Sequence, residues 1–311
     1  MNATELVKAQ AHIWNHIFSF ITPMSLRCAI QLGIPDIIHS HGKPMTLSQL
    51  TSALPIPHTK NPNCLVHRLM RFLVNSGFFA VQEVVVDTDE LREGYVLTNS
   101  SKLFLGDNPL SAAPFVLAIL DPVINQPWHT VSTWLQSEDP TPFFTTHGME
   151  FWAYSENDPR LGRLFNDSMA SDTRLVTIVV IDKCKSVFEG LESLVDLAGG
   201  TGTMAKAIAD AFPHIECTVV DLPHVVADSQ GSNQKGNKLI IIDMVVEEQK
   251  NDDHDYKPYE TQLFFDMMMM VLCPGREREE KEWAKLFSDA GFSNYKISPF
   301  LGVRSLIKVF P

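Results

Sequence analysis

Large apolar side chains recur at helical spacing from the start of the chain: Leu6, Ile13, Trp14, Ile17, Phe18 and Ile21 share one face over residues 4–21. A second helix is expected from Pro23 to Leu32, closed by Gly33, because glycine readily takes the left-handed conformation that ends helices. A short helix follows Pro35, then an HGKP turn, and Thr46 is a candidate N-cap for the next helix. Residues 62–76, PNCLVHRLMRFLVNS, carry the strongest helical pattern of this half and stop at Gly77. The period then changes from helical to alternating: FFAVQEVVV and YVLTN read as strands joined by the polar turn DTDELREG.

Further on, SLVDLAGGTGTM reads as a short buried strand running into a glycine turn, followed by the helix AKAIADAF and a second strand, CTVVDLP, that carries Asp221. Strand, glycine turn, helix and strand make the first unit of a doubly wound α/β sheet, in which ligands lie beyond the carboxyl ends of the strands. The glycines let the backbone approach a ligand closely, and an acid at the end of the second strand can grip two ribose hydroxyls. Gly200 to Ala205 fits the G-x-G-x-x-A dinucleotide pattern. Asp196, in a D-x-x-G-G-x-G frame, and the helical domain preceding it favour S-adenosylmethionine instead, a donor that needs no pyrophosphate site. Both ligands stay open on spacing alone.

Composition narrows the class. The 311 residues suffice for two domains, and 45% hydrophobic with 20% charged residues is an ordinary globular balance. The helix–turn–helix–hairpin order of the first hundred residues is a winged-helix pattern, which invites a DNA-binding reading. Those residues hold seven Lys/Arg against seven Asp/Glu, and the whole chain carries −12, so the basic face of a DNA reader is missing. The apolar face of the first helix, too large for one small domain to bury, fits a dimer interface. No apolar run reaches the roughly 18 residues of a spanning helix, and the start has no secretory pattern, so a cytoplasmic protein without membrane partners is expected. The five cysteines are scattered, with no C-x-x-C pair, and read as free thiols rather than metal ligands. Asp252, Asp253, His254 and Asp255 read as a polar loop.

The stretches AQAHIWNHIFSFI, AIQLGIPDIIHSHGKPMTLSQL, FNDSMASDTR, LVDLAGGTGT, AIADAFPHIECTVVDLPHVV, IIIDMV, ETQLFFDM, GRER and EKEWAKLFSDAGF together resemble the plant S-adenosylmethionine-dependent phenolic O-methyltransferases that act on caffeate, isoflavones, resveratrol and orcinol. The resemblance implies a winged-helix dimerisation domain over residues 1–108, a Rossmann-like methyltransferase domain over residues 109–311, and a homodimer. It implies S-adenosyl-L-methionine held by Asp196, Ala198, Gly199, Gly200, Gly202, Asp221 and Leu222. It implies a phenolic substrate walled by Phe165 and Met169, with Trp128, His147 and Met269 in segments bordering the pocket. Asp243 and Glu277 match the two acids that orient a catalytic histidine. Without the resemblance, Phe165 and Met169 would read as core positions four apart on a helix, Asp243 as a strand cap, and Glu277 as one charge of the run REREEKE.

Two departures stand against the family pattern. Ala198 occupies the first glycine of a G-G-G-T-G loop, where a methyl group is costly if φ is positive. More seriously, only 21 residues separate Asp221 from Asp243. Two strand-plus-crossover units need at least ~30 residues. The ending LIIID, ETQLFFDMMMM, GF-x-x-Y-K-I and SLIKVF matches the last part of the family's domain, so LIIID corresponds to its fifth strand. The third and fourth are missing, and the pattern places the gap between Asn233 and Gln234. With them goes the L-H-D-W motif that bears the catalytic histidine; His224 is the nearest histidine in sequence. The fourth strand would lie beside the first at the centre of the sheet, so LIIID must either fill that slot or leave a hole. The expectation is an O-methyltransferase by descent with impaired activity, explained most simply as a splice variant or annotation artefact. The alternative is a non-catalytic dimerisation partner of full-length enzymes.

Overall fold

The computed structural model describes residues 1–57, 61–85, 91–221, 239–247 and 258–310. The chain divides into two compact units, Met1–Leu120 and Asp121–Pro311.

In the first unit, α1 (Ala3–Ile17) is opened by a reciprocal capping box between Asn2 and Glu5, at 2.9 and 2.8 Å. The continuous helix expected over residues 4–21 is instead broken, and α2 runs from Ile21 to Gln31. Pro23 accounts for the break, because it cannot donate to the carbonyl of Ser19 and its ring crowds that carbonyl. Then come α3 (Ile34–His41), the short β1 (Met45–Thr46), α4 (Leu47–Ala53, capped by Thr46 as expected) and α5 (Pro62–Asn75). β2 (Phe79–Val85) and β3 (Leu91–Leu97) form the hairpin, with Phe79 opposite Leu97 and Val85 opposite Leu91. Leu91–Gly94, read from sequence as turn, are therefore strand; polar side chains hid them, because a solvated ladder needs only its backbone to pair. At Gly94 a Cβ would lie 2.7 Å from the Pro44 carbonyl carbon, which is how β1 can pack against β3. α6 (Asn99–Lys102) and α7 (Ala113–Ile119) complete the unit. Its core joins Ala29, Ile34, Leu50, Met70, Leu73 and Phe79. No residue of α1 is buried, and Leu6, Val7, Ile13, Trp14 and Ile17 lie exposed along it.

The second unit opens with short helices, α8 (Pro122–Asn125), α9 (Val131–Trp134), α10 (Pro142–His147) and α11 (Phe151–Asn157), with a 3₁₀ turn at Gln126–Thr130. The long α12 (Pro159–Lys183) follows, its first amides donating to the Asp158 carboxylate. Next come α13 (Lys185–Phe188), β4 (Ser193–Leu197), α14 (Thr203–Ala211), β5 (Glu216–Val220), β6 (Leu239–Asp243), α15 (Pro258–Leu272), α16 (Glu280–Asp289), β7 (Asn294–Leu301) and β8 (Arg304–Phe310).

β4 and β5 are parallel, from Ser193 opposite Glu216 to Leu197 opposite Val220, as a strand–helix–strand unit requires. β6 does not take the place beside β4. Among the described residues it pairs antiparallel with β8 alone, in the order β6-β8-β7. Among the described residues the sheet is thus divided between β4 and β6, and LIIID does not fill the slot. The halves still share one apolar layer: Leu194 and Cys217 of the first pack with Ile240, Ile242 and Leu306 of the second, under Val180, Phe188 and Ile208. On its other face the β6-β8-β7 sheet is covered by Trp283 and Phe287 of α16. On the other face of β4–β5 Thr218 is buried, but Val195 is 39%, Leu197 69% and Val220 44% exposed. The buried strand expected at SLVDL is instead half-buried on one face and exposed at Val195 and Leu197 on the other. Each exposed side chain forgoes part of the ~1.5–3 kcal/mol that full burial contributes.

Candidate functional site

The turn after β4 is built by backbone demands. Ala198 sits at φ +56°, a left-handed conformation costly for a residue with a Cβ, and its N–H donates to the Val220 carbonyl at 2.8 Å. Gly200 and Gly202 are also left-handed, at φ +57° and +78°. A Cβ on Gly199 would lie 2.7 Å from the Asp196 carboxyl group and 3.0 Å from Val219, so the strand end closes on this turn only with glycine there. Asp221, just past β5, accepts the Gly200 N–H at 2.8 Å. The turn and the acid, far apart in sequence, thus meet at the carboxyl ends of two paired strands.

Asp196 faces inward beneath the turn. One oxygen, Oδ2, is buried with no hydrogen-bond partner among the described residues. Burial lifts its pKa above the ordinary carboxylate value; the Ala205 N–H opposes that, and the negative Asp221 adds to it. A buried carboxylate with a free acceptor, next to a second acid and a close-packed glycine turn, can receive a cation or hydroxyl donors.

Asp243 and Glu277 come together at the end of β6. Burial raises Asp243, against the Met244 N–H that donates to it at 2.7 Å and the positive charges of Arg304 and Arg278. Glu277 is pushed up to about 7, first by burial, then by Asp243 and Asp266, against Arg304 and Arg278. Three residues of this cluster were not picked out in the sequence. Arg304 donates to both oxygens of Asp172, at 2.6 and 3.4 Å, and lies 5.9 Å from the Phe265 ring centroid. Asp266 accepts the Glu277 N–H at 2.8 Å, and Arg278 lies over Trp283. The available signal was a lone acid inside the apolar run LFFDMMMM.

The aromatic candidates occupy the helical part of the unit. Phe165 on α12 packs edge-on against Phe151 at 5.1 Å and Trp152 at 5.5 Å, and borders the cluster of Phe143, Leu161, Val271 and Leu272. Met169 lies one turn further along α12, half-buried. Trp128 is exposed on the 3₁₀ turn, which packs against α10 and α15. His147 ends α10, with Nε2 at 3.0 Å from the Val123 carbonyl and its ring against Phe143 and Tyr154. Met269 is half-buried on α15, its terminal methyl against Gly275. Leu222, His224, the 233/234 junction and the acidic cluster at 252–255 lie outside the described residues.

Comparison with known proteins assigns the class. An O-methyltransferase domain model matches residues 128–234 and 229–293, and an O-methyltransferase dimerisation domain model matches residues 14–107. The chain is 57% identical over 360 positions to probable O-methyltransferase 3 of Humulus lupulus, covering 100% of this chain and 94% of that protein. It is 52% identical to the trans-resveratrol di-O-methyltransferase of Vitis vinifera, covering 99% of this chain and 98% of that one. Among solved structures, CalO1, a methyltransferase of calicheamicin biosynthesis in its SAH-bound form, matches the fold with a TM-score of 0.78 at 19% identity, over 100% of both chains. The chain belongs to the O-methyltransferase family, whose methyl donor is S-adenosyl-L-methionine. An alignment of 360 positions against 311 residues leaves at least 49 positions of the Humulus protein without a counterpart. The domain match is itself interrupted at 229–234.

Proposed function

We propose that this chain is a plant phenol O-methyltransferase by descent, retaining part of the donor site and the aromatic wall, whose turnover is impaired because no histidine among the described residues is joined to Asp243 and Glu277. The single observation behind it is the meeting of the glycine turn with Asp221 at the ends of β4 and β5, while β4 stays unpaired with β6. The residues present suit the donor at two of its ends. Asp221 would hold the ribose hydroxyls, and Gly199, Gly200 and Gly202 leave room for its methionine end. The free Oδ2 of Asp196 offers an acceptor beneath that turn.

When bound, S-adenosyl-L-methionine supplies an electrophilic methyl group on a sulfonium. This chain's part is to place a phenol oxygen in line with that group and to accept the phenol proton. Phe165 and Met169 would wall a planar ring, with Trp128, His147 and Met269 in segments bordering it. Proton removal is where the chain falls short. A phenol has a pKa near 10, so only about 0.1% is ionised at pH 7, and a positioned base is typically worth ~10²–10⁴ in rate. The names of the grape relative and of the 8-hydroxyquercetin 8-O-methyltransferase of Mentha piperita favour a resveratrol-, orcinol- or flavonoid-like acceptor.

Calorimetry with S-adenosyl-L-methionine tests this reading. Binding should be detectable but at least ~10-fold weaker than in an intact relative, a loss of about 1.4 kcal/mol. Asp221→Ala should abolish it. No measurable binding, an affinity equal to the relative's, or an unaffected Asp221→Ala variant would each overturn the proposal. A second reading, a non-catalytic partner in a dimer, is favoured by the exposed apolar row of α1 within a unit that matches the dimerisation model.

A further inference from the structure

We propose that the division between β4 and β6 is a receptor for a strand–helix segment supplied by a separate polypeptide. The occupant is the piece of at least 49 positions that the Humulus relative has and this chain lacks. Three observations define the site. Among the described residues, β4 is hydrogen-bonded only to β5 and β6 only to β8, so each presents an unpaired row of backbone donors and acceptors to an incoming strand. Both sheets border one apolar cluster, to which Leu194 and Cys217 contribute from one side and Ile240, Ile242 and Leu306 from the other. The face of β4–β5 opposite that layer leaves Val195, Leu197 and Val220 exposed beside a buried Thr218, whereas the β6-β8-β7 sheet is covered on both faces.

An occupant must therefore bring both an extended strand, to bridge the edges, and a helix with an apolar face, to cover the valines and the leucine. Parallel strands buried on both faces are the rule in such sheets. A span of at least 49 positions exceeds the ~30 residues that two strand–crossover units need. A second copy of this chain fits less well: it could lend its own β4 edge, but it lacks the segment that would cover the open face. The proposal rests on the divided sheet and on family membership, not on catalytic competence.

The test mixes the full 311-residue chain with the corresponding segment of the Humulus protein, made as a separate peptide or co-expressed, and follows backbone hydrogen exchange. The expected result is a one-to-one complex in which amides of both β4 and β6 become at least tenfold slower to exchange. A sequence-scrambled segment should give no protection. Val195→Asp with Leu197→Asp should abolish capture while leaving the chain's thermal midpoint and sedimentation unchanged. Donor affinity, read separately by calorimetry, reports on the functional reading and not on capture. The inference is overturned if the segment does not associate, if protection falls only outside β4 and β6, or if the same amides are protected at high concentration of the chain alone, which would mean that copies of the chain occupy the edge.

Discussion

Ala198 and Glu277 show what single positions cost this chain. A left-handed alanine is disfavoured by about 1–2 kcal/mol, and glycine would recover that less its own entropy loss of roughly 0.5–1 kcal/mol. Ala198→Gly should raise the urea midpoint by the equivalent of ~0.5–1 kcal/mol; a lowered midpoint would show that the left-handed turn carries no strain. Glu277 binds its proton more tightly folded than unfolded, with a pKa of about 7 against an ordinary 4.5. The folded chain therefore holds the extra proton between those values, and stability falls as pH rises through that window. Glu277→Gln should flatten the fall and leave the chain more stable at pH 8, on the order of 1 kcal/mol once solvent screening of a half-exposed group is allowed for. Parallel stability curves for the two proteins would contradict this. The demand for glycine at position 198 was legible from the loop pattern, and the structure adds the reason, φ +56°. Of the groups around Glu277, Asp243 was paired with it in the sequence, but Asp266 and Arg304 were not, because they come to it only through the packing of separate elements.

At the scale of elements, the periodic signals carried most of the fold. Thr46, Gly77 and the run from Pro62 mark element boundaries in the sequence and in the structure alike. The helix break before Pro23 was read a few residues late, after Ile21 rather than after Ile17, since an apolar face that continues through Phe18 and Ile21 masks a steric interruption of the backbone. The strand residues Leu91–Gly94 were missed for the opposite reason, polar side chains on a paired backbone. The exposed row on α1 makes the most direct claim of any element. It should hold two copies together, so the chain should sediment as a dimer of 34.9 kDa subunits at micromolar concentration. Ile13→Asp with Ile17→Asp should release monomers with the thermal midpoint little changed. A parent chain that sediments as a monomer would contradict the assignment.

For the whole molecule, what matters is that the sheet is in two pieces. The arithmetic of 21 residues between Asp221 and Asp243 already announced it, and the structure answers the question left open: among the described residues β6 is bound to β8 and no strand but β5 pairs with β4. Sequence could not decide this, because whether a strand slides into a vacated slot depends on what its other edge is already bonded to. Loss of the base alone would leave slow transfer that rises as the phenol ionises. On the proposed reading, loss of the strand between donor loop and acids would also remove orientation, worth up to ~7–11 kcal/mol in well-ordered cases, which is the larger effect. The deciding measurement is turnover of this chain with radiolabelled S-adenosyl-L-methionine and resveratrol-, orcinol- or flavonoid-type phenols, from neutral pH to pH 10. The account predicts no detectable methyl transfer at any pH. A rate within tenfold of an intact relative would contradict it.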